Sequence, residues 1–344
     1  MKTPADKQQF AIFVPYNLFT EMEKIKQLQK EFSSFLETCN YMGTPSELYA
    51  PIAYTILQKG KRLRPMLCLL ANDMFGGNVE DALWPALALE TFHNYTLIHD
   101  DIMDNAPIRR GMPTVCRKWG DNAAILSGDA MHAMAFEFAL KTKKSAETVQ
   151  LLCTVDREVC EGQQYDMEFE SRKEVSIEEY LEMIRLKTAV LLATSAKMGA
   201  MIAGADAENL TKIYDFGINL GMSFQLQDDI LDLYSNVETF GKCHGGDIAD
   251  NKKTYLYLKA MELSDAKDKK RLQWLFSMKI DHDLEEKIAE VQSIYDKLNV
   301  KKATEDLISN YEDKAFAALS EIHIPDERKK HLNAYAEMLS KRSK

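Results

Sequence analysis

The sequence predicts an all-α protein, and two patterns carry that expectation. Apolar residues recur at three- and four-residue spacing over long stretches, while the alternating β-branched runs that mark strands are scarce. Short Gly or Pro breaks separate the stretches, at Gly43 to Pro45, Gly76-Gly77, Pro107 to Pro113, Gly204, Gly241 to Gly246 and Pro325. No Pro/Gly/Ser-rich linker divides the 344 residues, so one large domain over 1–344 is expected, with 1–15 and 340–344 loosely anchored.

In chain order, the first segment with chemical character is Lys59-Gly60-Lys61-Arg62-Leu63-Arg64-Pro65. It reads as an exposed helix start with Pro65 in the first turn. It also gathers four cations around a glycine, which suits a phosphate group held by Arg forks and Lys point charges. From Ala86 to Asp104, the residues Leu89, His93, Leu97, Asp100 and Asp104 advance by three or four, a stripe that starts apolar and ends ionic. In an ideal helix His93 and Asp100 lie within about 20° of each other. His93 is therefore either a packed interior histidine or part of the ionic stripe, whereas His99, His132 and His244 read as structural. Pro107 should end this helix just past Asp104, where free carbonyls and the helix dipole favour cations. Arg109-Arg110-Gly111 follow at once. The stretch from Thr188 to Ala205 is apolar and rich in small residues, with Lys197 near its middle, and reads as a packed interior helix rather than a membrane span. Between about 265 and 302, dense charge alternates with Leu, Ile and Trp274, the pattern of amphipathic surface helices.

The strongest functional signal is a repeated acidic pentapeptide, Asp100-Asp101-Ile102-Met103-Asp104 and Asp228-Asp229-Ile230-Leu231-Asp232. Within each copy, residues four apart share a helix face. Carboxylates this close repel unless a cation neutralises them, and hard divalent ions such as magnesium take oxygen ligands. Two matched clusters behind apolar stretches indicate two halves of one metal site better than two solvated faces. An EF-hand is excluded, because the segment lacks alternate-position ligands, the central glycine and the terminal glutamate. Lys187-Thr188, Lys242 and Lys252-Lys253-Thr254 bracket the second cluster, and Asp247 sits in a Gly245-Gly246-Asp247 turn. Acids and bases repeating together describe a site for a polyphosphorylated substrate.

The net charge of −10 and a pI near 5.3 argue against nucleic acid as a partner and fit a cytoplasmic protein. Six scattered cysteines, with no CxxC pair, read as reduced thiols rather than a disulfide framework or zinc site.

In the order GKRLRP, LIHDDIMD, RRGMPT, ILSGDA, GQQYD, LKTAVLL, FQLQDDILD, GKCHGGD and KKT, the chain resembles the trans-isoprenyl diphosphate synthases, the polyprenyl synthetase family, over well more than half its length. The resemblance implies a large helical bundle around a central cavity, usually a homodimer. It implies transfer of an allylic group (dimethylallyl, geranyl or farnesyl diphosphate) to isopentenyl diphosphate, giving a 15- to 20-carbon prenyl diphosphate. By the same resemblance, magnesium, three ions with substrate bound, is held chiefly by Asp100, Asp104 and Asp228, with Asp101, Asp229 and Asp232 in support. Arg109, Lys187 and Lys252 then meet the allylic diphosphate, Lys61, Arg64, His93 and Arg110 match the isopentenyl diphosphate site, and Gly60 and Lys242 are further substrate-binding residues. Thr188 and Gln225 match positions that stabilise a carbocation.

Residues just before the first acid motif are implied to set product length. A bulky Tyr95 suggests a short product, while ideal helix geometry directs Thr96, and less closely Phe92, along the Asp100 face. A floor at Phe92 accommodates a longer chain. The usual double glycine of the basic motif is Lys59-Gly60 here, and Asn251-Lys252-Lys253-Thr254 replaces the usual GKxT, so either Lys252 or Lys253 could be the contact. The alternatives are a longer-chain synthase, a terpene cyclase, which would normally lack a second Asp cluster, and a noncatalytic partner subunit, which would normally carry an eroded acid motif.

Overall fold

A computed structural model describes residues 16–235, 244–278 and 283–341, with side chains from residue 22 onward. Of the ends expected to be loose, 1–15 and 342–344 lie outside the described residues, as do Lys242 and Cys243, whereas Ser340 ends the last helix and Lys341 caps it. The described chain is helical almost throughout: α1 (Tyr16–Thr38), α2 (Ser46–Ile56), α3 (Leu63–Met74) and α4 (Val79–Met103) precede α5 (Val115–Trp119), α6 (Asp121–Leu140) and α7 (Ser145–Ser171). Helix α8 (Ile177–Ile184) runs into a π-helical turn (Arg185–Ala189) and then α9 (Val190–Ile202) and α10 (Ala207–Tyr234). The short α11 (Gly246–Ala249) leads to α12 (Tyr255–Leu263), α13 (Ala266–Leu275), α14 (Leu284–Lys297), α15 (Val300–Ser320) and α16 (Asp326–Ser340). No helix among the described residues is long and apolar enough to cross a membrane.

Local chemistry starts several of these helices where the sequence breaks fall. Asn78 caps α4 by accepting from Glu80 N, Asp206 caps α10 by accepting from Asn209 N, and Ser176 with Glu179 forms a capping box at α8. Asp104 caps the C-terminal end of α4, as Pro107 foretells.

One small departure from pure helix appears at Arg109-Arg110-Gly111. Ile108–Arg109 pairs antiparallel with Met112–Pro113, a two-residue ribbon that the helical periodicity could not disclose. Its cause is local: Arg110 (φ 53°) and Gly111 (φ 76°) are both left-handed, as a tight hairpin turn requires.

Helices α3, α4 and α9 are buried nearly all round, and Ala86, Leu87, Ala88 and Leu89 are four consecutive residues with no exposed surface. A first apolar cluster joins α1 to α7, α9, the first half of α10 and α16. A second joins α8, the last half of α10 and α11 to α15. Small residues let the central helices approach closely: a Cβ on Gly199 of α9 would overlap the Cys68 carbonyl of α3, and Cβ atoms on Gly217 and Gly221 of α10 would overlap Ala193 and Ala189. On α7, Gly162 lies against the backbone of Leu186 and Lys187 in the π-turn. Overpacking a filled interior costs about 1–3 kcal/mol. Gly199→Ala, which meets backbone rather than a movable side chain, should lose at least that much stability in a urea melt; an unchanged midpoint would contradict the packing.

Candidate active site

The π-turn places the first two site residues. Its widened backbone, with Val190 N–H bonded to Arg185 O, turns Lys187 and Thr188 out of the ordinary helical path. Gly217, Gly221 and Gln225 advance by four along α10, so the face that seats the glycines on α9 also carries Gln225 toward Thr188. The Thr188 hydroxyl donates to Gln225 Oε1 at 3.1 Å, and Gln225 Nε2 donates to Asp229 Oδ1 at 3.2 Å. Lys187, Thr188, Gln225, Asp229, Asp247 and Lys252 all line one cavity of about 640 Å³, part of it open to solvent.

The first acid cluster stands beside this cavity. Arg109 Nε donates to Asp101 Oδ1 at 2.6 Å and Arg109 Nη2 to Asp100 Oδ2 at 3.4 Å. Lys187 Nζ reaches both Asp100 (3.3 Å) and Asp166 (2.6 Å). Burial, with Asp100 and Asp104 adding to it against Arg109, pushes Asp101 up to about 6. Burial and the Asp100 charge likewise raise Asp104. Burial opposes the Lys187 charge, but Asp100 and Asp166 outweigh it and raise its pKa.

The second cluster lies along the last turns of α10. Tyr180 of α8 donates its hydroxyl to Asp229 Oδ2, and the Asp247 backbone N–H donates to Asp232 Oδ2 at 3.0 Å. Burial, reinforced by Asp247, pushes Asp229 up to about 8. The two neighbouring lysines divide sharply. Lys253 Nζ donates to the Phe169 and Glu170 carbonyls at 2.6 and 3.3 Å, whereas Lys252, although buried, is raised by Asp104, Asp247 and Asp166. Lys252 thus senses the first cluster through Asp104 and the surroundings of the second through Asp247, which sets both clusters about one centre.

A basic pocket adjoins them. Arg64 is half-buried, lowered to about 10 by burial against the pull of Glu90 and Asp228, and its buried Nε has no hydrogen-bond partner among the described residues. Arg110 donates to Asn94 Oδ1 at 3.3 Å, and a Cβ on Gly60 would come within 3.2 Å of its guanidinium. Burial first, and then Arg64, Arg110, Arg109 and Arg62, hold His93 well below the usual imidazole range, so it is neutral here. Arg62, from the same basic run, is differently engaged: it pairs with buried Glu90 and donates to the carbonyls of Ile56 (2.7 Å) and Gln58 (2.6 Å).

Residues 45–298 match the family model described as Polyprenyl synthetase. The chain belongs to the polyprenyl synthetase family. It is 41% identical over 251 residues to a geranylgeranyl diphosphate synthase of Methanosarcina mazei, covering 71% of this chain and 77% of the relative. It is 39% identical over 238 residues to a geranylfarnesyl diphosphate synthase of Natronomonas pharaonis, covering 63% and 70%. Among solved structures, a geranylgeranyl pyrophosphate synthase superposes with a TM-score of 0.89 at 42% identity, over 93% of this chain and 99% of that one. A polyprenyl synthase from Caulobacter crescentus, complexed with calcium and isoprenyl diphosphate, superposes with a TM-score of 0.80 at 28% identity, over 95% and 97%.

Within this member of the family, the three residues considered for product length do not share one environment. Phe92 is wholly buried and meets Tyr95 edge-on, with ring centroids 4.9 Å apart. Tyr95 donates its hydroxyl to Asp156 of α7 and packs against His132 of α6, while Thr96 spends its hydroxyl on the His93 carbonyl at 2.8 Å. Phe92 and Tyr95 thus pack as an aromatic pair toward α6 and α7, whereas Thr96 turns back onto its own helix. His132, bound to Asp156 at 3.0 Å, is structural as expected.

Sequence reasoning passed over Asp166, Tyr180, Glu90 and Asn94. Asp166 had a signal, since it follows Gly162 by four residues in GQQYD and so shares the glycine's face toward the π-turn. Tyr180 and Glu90 had none, because their roles arise from contacts between distant segments. Lys242 lies outside the described residues.

The donor set fits a hard divalent cation: carboxylate oxygens, crowded enough to hold protons abnormally, with cationic side chains drawn in beside them. Among the described residues no three acid, histidine or cysteine groups already close around one point as an ion cage. Asp101 and Asp229 have folded pKa values raised above the unfolded one, so their contribution to stability is full below about 4 and is lost as pH rises through about 6 and about 8. The magnesium-induced gain in melting temperature should therefore grow from pH 5 to pH 9, as these carboxylates ionise beside the ion; a gain independent of pH would contradict their closeness to it. Lys252→Ala should cut turnover by about a hundredfold or more, the scale of a lost electrostatic contact. Lys253→Ala should keep turnover within a few-fold while lowering thermal stability, and steady-state assays with melting curves compare the two.

Proposed function

We propose that this chain is an all-trans prenyltransferase that condenses isopentenyl diphosphate with an allylic diphosphate and releases a short-chain prenyl diphosphate. The observation that carries the reading is the convergence of Lys187, Thr188, Gln225 and Lys252 on one cavity, flanked by two acid clusters and an arginine pocket. In it, Asp100, Asp104 and Asp228 hold magnesium, while Asp101, Asp229 and Asp232 act as supports that are themselves held by protein donors. When bound, magnesium would supply positive charge against the departing diphosphate.

Arg109, Lys187 and Lys252 bind the allylic diphosphate and stabilise the charge that develops as its carbon–oxygen bond ionises. Arg64, Arg110, Lys61 and neutral His93 hold isopentenyl diphosphate beside it, with Gly60 leaving room for the Arg110 fork. Thr188 and Gln225 present oxygen dipoles to the electron-poor carbon, which the isopentenyl double bond attacks. The proton lost from the new carbon skeleton passes to released diphosphate, so no side-chain nucleophile takes part. Burial of the surrounding helices keeps water from the cation.

The bulky Tyr95, five residues before Asp100, supports a farnesyl or geranylgeranyl product. A longer product is the second reading, favoured by the similarity to a geranylfarnesyl diphosphate synthase. One catalytic domain acting as a homodimer completes the proposal, supported by the exposed apolar residues Ile125 and Leu126 on α6.

Mass spectrometry of products from purified protein, magnesium, isopentenyl diphosphate and each allylic starter tests this directly. Whole five-carbon extension is the expected result, with its final length locating the floor; a cyclic hydrocarbon, or no turnover at all, would overturn it. Asp100→Ala should lower turnover by about two orders of magnitude or more yet leave the apo melting temperature nearly unchanged, because it also relieves carboxylate repulsion. Near-normal activity would remove Asp100 from the metal site.

A further inference from the structure

We propose that Tyr180 is a positioning residue that fixes, through Asp229 and Gln225, the direction of the oxygen dipoles facing the reacting carbon. The inference rests on the prenyl-transfer reading of the same cavity. Its geometry is a chain of three hydrogen bonds with one sense. Tyr180 O–H donates to Asp229 Oδ2, Gln225 Nε2 donates to Asp229 Oδ1 at 3.2 Å, and Thr188 Oγ1 donates to Gln225 Oε1 at 3.1 Å. All four residues line the cavity.

The sense of the chain follows from what each group can offer. A carboxamide has a donor end and an acceptor end, and a half-turn about its last bond exchanges them. As a carboxylate, Asp229 accepts at both oxygens, one from the amide and one from Tyr180, so the Gln225 NH2 is drawn to Asp229 and its oxygen to Thr188. A hydroxyl has one hydrogen. Spending that hydrogen on Gln225 leaves Thr188 to offer lone pairs, the polarity that stabilises a positive carbon. Tyr180 anchors the sequence because its hydroxyl is buried and fixes the plane of the Asp229 carboxyl. Without that hydroxyl the carboxyl is free to turn, the Gln225 amide can invert, and an NH2 dipole would face the cation. With both its oxygens bound to protein donors, Asp229 aims at the cavity dipoles rather than at the ion.

Steady-state kinetics on the full chain separate this from a structural or metal-supporting role. Tyr180→Phe keeps the ring in place and should lower kcat by about tenfold, the scale of one hydrogen bond in the transition state. The KM for isopentenyl diphosphate and the magnesium concentration for half-maximal rate should stay within twofold. The double variant Tyr180→Phe/Thr188→Val should be no slower than Thr188→Val alone, because one chain of dipoles can be broken only once. Asp229→Asn, whose amide can donate to Gln225 and reverse it, gives an independent loss of kcat that does not depend on packing at Tyr180. Losses that multiply in the double variant, an unchanged kcat, or a raised magnesium requirement would each overturn the proposal. Wild-type protein that forms no prenyl diphosphate would instead remove the prenyl-transfer reading and this inference with it.

Discussion

Everything in the site depends on how closely three backbones approach around the π-turn at Arg185–Ala189. Gly162 of α7 and Gly221 of α10 touch the turn, at Leu186-Lys187 and at Ala189, and Gly217 of α10 meets Ala193 of α9 just beyond it. A methyl group at any of these contacts would force the helices apart. The glycines thus do more than fill space. Their four-residue repeat aims Gln225 at Thr188, and the widened turn aims Lys187 at Asp166 and Asp100. Packing at the core therefore sets polar geometry at the cavity, and the two cannot be altered separately.

Charge supplies the second constraint. The described structure gathers carboxylates and cations in alternation, so that Arg109 and Lys187 neutralise the acids beside them. Isolated buried carboxylates would be costly. Pairing holds the acids in the fold but leaves the pairs shallow enough for an anionic ligand to take over the cations. The same logic separates Arg62 from Arg64: Arg62 is committed to Glu90 and two carbonyls, while the buried Arg64 Nε has no partner of that kind.

Much of this was legible in the sequence, for identifiable reasons. Helical periodicity reports the class of fold because each α-helix must bury a stripe, and the repeated acids stand out because such crowding has few structural excuses. What stayed hidden was contact between distant segments. No local pattern marks Tyr180 as the partner of Asp229, or Glu90 as the partner of Arg62. That Lys253 bonds the Phe169 and Glu170 carbonyls while Lys252 lies in the field of Asp104 and Asp247 also needed three dimensions, since adjacent residues differ only in the direction they face. The ribbon at Ile108–Arg109 and Met112–Pro113 escaped because two residues cannot establish a period of two.

That ribbon is also a ruler. Arg109 ends its first strand and reaches Asp100 and Asp101, while Arg110, next along and left-handed, reaches Asn94 beside His93. The backbone anchors of these two guanidinium groups are thus a single peptide unit apart, among the stiffest lengths a chain possesses. On the proposed reading, side-chain repacking can enlarge or shrink the cavity without changing this gauge, so the part that would vary with chain size is mechanically insulated from the part that would set how far apart two head groups sit.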